Sequence, residues 1–250
     1  MTSAVILKVW NEEDFIELCL NQFNCAGIDT LYLFDDGSTD DTIKIALSLS
    51  LPYSLQVIQV SEPHTEYFPG NPKEPESVLL NRMIDTASKH DWIIHIDADE
   101  VFTKQAIEAI RELDSINELY NGICVPYYHV VDSINRFIVS MPGCNYPLHP
   151  DYHMRIYRAN AFRFPEVDGL DVIIKPVDRS SPIYWGVDKG IIHLHYLNDT
   201  RRGMRGGTNT IETGEKQGYF RTDGCIYGQI PDLFIPEILI NWNRNTNIKW

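Results

Sequence analysis

Apolar residues are distributed along the first hundred positions in two alternating textures. Short runs that are apolar at both parities cover residues 4–10, 30–34, 55–60 and 92–96, the pattern of strands buried on both faces of a parallel sheet. Between them the spacing turns helical. Phe15, Ile16, Leu18, Cys19, Gln22 and Phe23 form a stripe that Gly27 ends, residues 42–49 follow the second run, and residues 76–89 carry Leu79, Leu80, Met83, Ile84 and Ala87 on one face. Asn11 is expected to cap the first helix, with Glu12, Glu13 and Asp14 in its first turn, and Ser38 or Thr39 to cap the second. Three βα units precede the run at 92–96, so right-handed crossovers bring the strand ends to one edge.

After a helix expected at 103–113 the texture changes. Residues 121–131, 136–141, 152–157 and 172–174 are short, aromatic runs broken by Pro and Gly, which predicts mixed or antiparallel strands and long loops. Residues 191–196 read as a last strand with His193 and His195 on one face, and residues 232–250 are amphipathic. The stretch 61–75 holds four prolines without periodicity; it is either a flap beside a site or a plain surface loop. Without repeats or a linker, the chain reads as a single α/β domain. Residues 1–105 form a Rossmann-like, mostly parallel sheet flanked by helices, and 106–250 a mixed or antiparallel half.

The formal net charge of −14 argues against a nucleic-acid partner and against adsorption to an anionic membrane. It also means that a bound diphosphate needs cations supplied locally. The cysteines, Cys19, Cys25, Cys124, Cys144 and Cys225, are scattered and show no zinc-like spacing, as expected of reduced thiols in the cytosol. No leader pattern and no apolar run of membrane-spanning length is visible, so a soluble, cytoplasmic protein is expected.

Chemistry concentrates where the strands end. Asp97, Asp99 and Glu100 follow one apolar run, and Asp35 and Asp36 follow another, at the strand ends where open α/β sheets bind ligands. Two aspartates separated by one small residue suit a hard divalent cation that keeps positions open for phosphates. Acids after a strand also simply cap the next helix, so both readings stand at this point. Arg201, Arg202 and Arg205, interleaved with glycines, form the densest basic cluster and suit a loop folded over phosphates or a solvated charge run. Arg82, Arg155 and Arg158 are further cationic candidates. The aromatics Tyr127, Tyr128, Tyr146, Tyr152 and Trp185 suit either stacking on sugar rings or a core.

Taken in order, Lys8-Val9-Trp10-Asn11-Glu12-Glu13, Phe34-Asp35-Asp36-Gly37-Ser38-Thr39-Asp40-Asp41-Thr42, and Asn81-Arg82 leading into Ile96-Asp97-Ala98-Asp99-Glu100 resemble the family 2 glycosyltransferases of the GT-A fold. The likeness covers roughly the first 105 residues. Arg155-Ile156-Tyr157-Arg158 looks like the later part of the variant whose metal motif reads Asp-x-Asp-Glu. Many of those carry a His-Glu pair where this chain has Val167-Asp168-Gly169.

The resemblance implies transfer of a sugar, with inversion, from a nucleotide-diphosphate donor, UDP-sugar favoured, to a hydroxyl of a glycan or related acceptor. It implies that Asp35 or Asp36 holds the base or ribose and that Asn11 and Glu12 line the same pocket. Asp99 then binds Mn2+ or Mg2+, with Asp97 on the ribose or on the metal through water, and His193 or His195 completing the metal shell. Inversion needs a carboxylate base, for which Asp168 is the first choice beside Glu166 and Asp171. The rival readings are a degenerate sugar-nucleotide or glycan binder, a phosphoryl-transfer enzyme and a nucleotidyltransferase.

Overall fold

The structure, a computed structural model, describes residues 1–60, 76–140, 149–165, 175–176, 181–194 and 226–245. These fall into two compact units, one drawn from 1–98, 108–124 and 154–184, the other from 99–107, 125–153 and 185–250.

In the first unit, β1 (Ser3–Val9), β2 (Thr30–Asp35), β3 (Ser54–Gln59) and β4 (Trp92–Asp97) form a parallel ladder in the order β4-β1-β2-β3. The register pairs Val9 with Asp35, Lys8 with Asp97 and Asp35 with Gln59, so the strands end level. Every residue of β2 is buried, as are the first five of β4, which is why both read as continuous apolar runs. Edge strand β3 is only half-buried. The three expected helices are present as α1 (Ile16–Asn21), α2 (Thr42–Ser48) and α3 (Glu76–Ala87).

Helix α3 lays Leu79, Leu80, Met83, Ile84 and Ala87 on Ala4, Ile6, Tyr32, Phe34 and Ile93 of the sheet. Burying each large side chain contributes about 1.5–3 kcal/mol. Gly27 ends the first helical segment with φ +72, a conformation costly for other residues.

Two capping expectations are corrected. Asn11 does not cap α1: its φ is +54, its side chain is drawn away to the loop after β2, and α1 starts at Ile16 after a turn in which Phe15 and Ile16 donate to the Glu12 carbonyl. Helix α2 has Asp41 at its N-cap position without a side-chain cap; the Thr42 amide donates to Asp40 Oδ1 at 3.0 Å, and Ser38 Oγ accepts from the Asn11 amide instead.

The remaining strands of this unit are antiparallel or short. The end of β8 (Asp151–Arg158) runs antiparallel to β4, the start of β6 (Tyr120–Ser133) pairs with β11 (Ser181–Tyr184), and β9 (Phe162–Arg163) pairs with β10 (Lys175–Pro176).

In the second unit, β12 (Ile191–His193) lies between β5 (Glu100–Phe102), to which it is antiparallel, and the later part of β6, to which it is parallel. Strand β7 (Arg136–Ser140) pairs antiparallel with β6 and with β13 (Ile226–Gln229), and α5 (Glu237–Asn245) follows. The mixed directions match the change of texture in the sequence. Thr103 caps α4 (Lys104–Ile110): its hydroxyl accepts from the Ala106 and Gly190 amides and donates to the Asp188 carbonyl at 2.7 Å. Gly190 has no room for a side chain, since a Cβ there meets Tyr128 at 2.7 Å and the Pro126 carbonyl at 2.8 Å.

His95 on β4 is buried edge-on to Phe164, with ring centroids 5.8 Å apart. Burial, reinforced by the Arg155 charge, pushes its pKa down to about 3. An unfolded histidine titrates near 6.5, so between about pH 6.5 and 3 the unfolded chain binds the extra proton and stability falls with pH by about 1.4 kcal/mol per unit. Lowering the pH from 7.5 to 5 is therefore expected to cost the wild type about 2 kcal/mol more than His95→Leu in urea unfolding; an equal loss in both refutes it.

Candidate active site

The level ends of β1 and β2 project two loops that are hydrogen-bonded together. Asn11 adopts the left-handed conformation that asparagine tolerates better than most residues. Its amide donates to Ser38 Oγ at 3.0 Å and its Oδ1 accepts from the Thr39 amide at 2.8 Å. The Glu12 amide donates to Thr42 Oγ1 at 2.6 Å, the Glu13 amide to Asp40 Oδ2 at 3.2 Å, and the Asp41 amide to Glu13 Oε2 at 3.1 Å. Asp35 forms the turn itself, Oδ1 accepting from the Ser38 amide at 2.9 Å over Gly37 at φ +86. Glu12, Asp35 and Asp36 are all buried. The structure thus brings together Asn11, Glu12, Asp35 and Asp36.

Asp97 ends β4 with a half-exposed carboxylate, and the mostly buried Arg155 on β8 donates to its Oδ2 at 3.0 Å. Asn81 on α3 holds the backbone of Phe164 from both sides, its Nδ2 donating to the carbonyl at 2.8 Å and its Oδ1 accepting the amide at 2.9 Å. That clamp lies two residues before Glu166. Arg82 beside it is exposed.

In the second unit, register places Glu100, His193 and His129 side by side across β5, β12 and β6, so their side chains share a sheet face. His193 Nε2 faces Asp99 Oδ2 at 3.7 Å, with Asp99 almost fully buried. His193 Nδ1 lies 3.1 Å from His129 Nδ1, and His129 Nε2 lies 3.3 Å from Asp151 Oδ2. His153 Nε2 meets the same Asp151 oxygen at 2.9 Å. Tyr127 packs against His129, His153 and His193 and donates its hydroxyl to Glu100 Oε1 at 2.7 Å.

The two bonded histidines hold the Asp151 carboxyl well below the usual carboxylate range, and burial pushes the His129 imidazole down despite Asp151. Among the described residues, no group of three or more His, Cys, Asp or Glu side chains converges to hold a metal ion. Asp99 and His193 supply a facing pair.

Sequence reasoning missed His129, Asp151, His153 and the Asn81 clamp. The available signal was the same-face spacing of Tyr127 with His129 and of Asp151 with His153. Tyr127, Tyr128 and Trp185 are buried rather than open to a ligand, the Tyr128 hydroxyl donating to the Val187 carbonyl at 2.6 Å. His195, Glu166, Asp168, Asp171, Arg201, Arg202, Arg205, Tyr146 and the stretch 61–75 lie outside the described residues.

The profile of glycosyl transferase family 2 matches residues 4–165, and the chain belongs to that family. A curated relative, an uncharacterised glycosyltransferase of Mycoplasma genitalium, is 26% identical over 133 residues, 51% of this chain and 42% of the relative. TarS of S. aureus shares the fold, with a TM-score of 0.51 and 17% identity over 77% of this chain and 36% of the TarS chain. The chain thus spans less than half of either protein's length. Among the described residues no helix is long and apolar enough to cross a membrane.

The loop lacing sets two stability expectations. Asn11→Gly keeps the backbone geometry and loses the bonds that Oδ1 accepts from the Thr39 amide and, at 3.4 Å, from the Thr39 hydroxyl, about 1–2 kcal/mol, whereas Asn11→Ala adds about 1 kcal/mol of left-handed strain. Urea unfolding that ranks Ala at or above Gly contradicts this account. Asn81→Ala strips both bonds from Phe164 and is expected to cost about 2 kcal/mol by the same measurement.

Proposed function

We propose that this chain carries the donor-binding and catalytic machinery of a divalent-metal-dependent, inverting glycosyltransferase, using a nucleotide-diphosphate sugar and a hydroxyl acceptor of glycan type. The observation that carries the reading is the Asp99 and His193 pair. At 3.7 Å the two atoms are beyond an ordinary hydrogen bond, about 2.7–3.2 Å, yet lie within the span of two ligands each about 2.0–2.2 Å from one cation. A carboxylate oxygen with an imidazole nitrogen suits Mn2+, and Mg2+ less well. The rest of the shell is left to donor phosphate oxygens and to water.

Within this reading Asn11, Glu12, Asp35 and Asp36 bind the nucleoside. The acceptor-rich carboxylates take hydrogen bonds from ribose hydroxyls and from a base N–H, which favours uracil. Arg155 orients Asp97, and Arg82 with Arg201, Arg202 and Arg205 offsets the diphosphate charge in a protein of net charge −14. A carboxylate, Asp168 first and then Glu166 or Asp171, takes the acceptor proton; the acceptor oxygen bonds to the anomeric carbon as its bond to the diphosphate breaks. A bound divalent cation supplies positive charge to the departing diphosphate.

The test is a thermal-shift series of nucleotide diphosphates and nucleotide sugars with and without Mn2+. A ligand at a hundred times its Kd stabilises by about 2.7 kcal/mol, roughly 5–10 °C in a chain of this size. The shift is expected with a uridine ligand only when Mn2+ is present, and to vanish in Asp99→Ala. An undiminished shift in Asp99→Ala, or none with any nucleotide, removes the reading.

A further inference from the structure

The hydrogen-bonded chain behind His193 specifies more than a ligand pair. A carboxylate only accepts, so His129 Nε2, 3.3 Å from Asp151 Oδ2, carries the proton of that contact. A neutral imidazole has a single N–H, which leaves His129 Nδ1 as an acceptor. His129 Nδ1 lies 3.1 Å from His193 Nδ1, and two ring nitrogens at that distance share one proton, which then belongs to His193. The single N–H of a neutral His193 is thereby spent on Nδ1. Its Nε2, 3.7 Å from Asp99 Oδ2, presents a lone pair.

We propose that Asp151 and His129 are positioning residues that lock His193 in the Nδ1–H tautomer, so that Nε2 is preset as a cation ligand beside Asp99. With Nε2 unprotonated, His193 and Asp99 both offer lone pairs 3.7 Å apart, the arrangement that suits a shared cation, whereas an Nε2–H would make their contact a hydrogen bond. The surroundings hold the arrangement rigid. His193 and His129 are fixed by register on adjacent strands, and Tyr127 packs edge-on to the His193 ring while its hydroxyl is tied to Glu100. Asp151 is held in turn by His153 at 2.9 Å. Outer partners of this kind orient metal-binding histidines and set which nitrogen is bare.

The purpose assigned to the tautomer rests on the metal-dependent reading above, but the tautomer can be measured without metal. Long-range proton–nitrogen NMR of the metal-free protein at pH 7.5, with the His193 signals identified by their loss in His193→Gln, is expected to show Nδ1 protonated and Nε2 bare. Added Mg2+ is expected to move the Nε2 resonance most. In His129→Leu, which removes the acceptor, His193 is expected to return to the Nε2–H form and the Kd for Mn2+ to weaken about tenfold or more. His129→Asn places an amide oxygen where Nδ1 was and is expected to restore affinity to within about threefold.

Finding His193 as Nε2–H or doubly protonated in the wild type overturns the proposal. So does a His129→Leu variant that binds Mn2+ as tightly as the wild type. Should His129→Leu fail to fold, the wild-type spectrum and the Asn variant decide alone. An Nδ1–H His193 in a protein that binds no Mn2+ upholds the tautomer lock and removes the metal-dependent transferase instead.

Discussion

The parallel pairing of β4, β1, β2 and β3 is the constraint from which the rest follows. Buried strands cannot carry charge along their length without large cost, so their acids collect at the first position where the backbone leaves the sheet. Level register then aligns those positions. Val9, Asp35 and Asp97 reach one edge of the first unit because their strands run in register.

This explains why the ladder strands β1 to β4 and the helices packed on them were legible. Both-parity apolar runs, the α3 stripe and the punctuation at Gly27 each report a local environment, and local environment decides them. The failures at Asn11 and at Ser38 have one cause: each side chain had a local capping option and took a partner 27 or 28 residues away. Propensity describes the first choice and carries no information about the second.

The second unit was legible only as texture. Its short strands announced mixed pairing, but the face shared by Glu100, His193 and His129 depends on β12 entering between β5 and β6. No spacing rule relates residues 100, 129 and 193. Histidines were therefore singled out where they followed an apolar run, as at His193, and overlooked on β6 and β8. The tyrosines left two readings open, and Tyr127 and Tyr128 take the core one, each buried ring satisfying its hydroxyl within the protein.

The lacing of the loops after β1 and β2 has a consequence for how anions are met. The amides of Asn11, Glu12, Glu13, Ser38, Thr39 and Asp41 all donate to side-chain oxygens of the protein itself. A glycine-rich dinucleotide fold keeps such amides open as a cradle for pyrophosphate. Here they are already spent on the protein's own oxygens. An anion that approaches these loops finds none of those six N–H groups open to it.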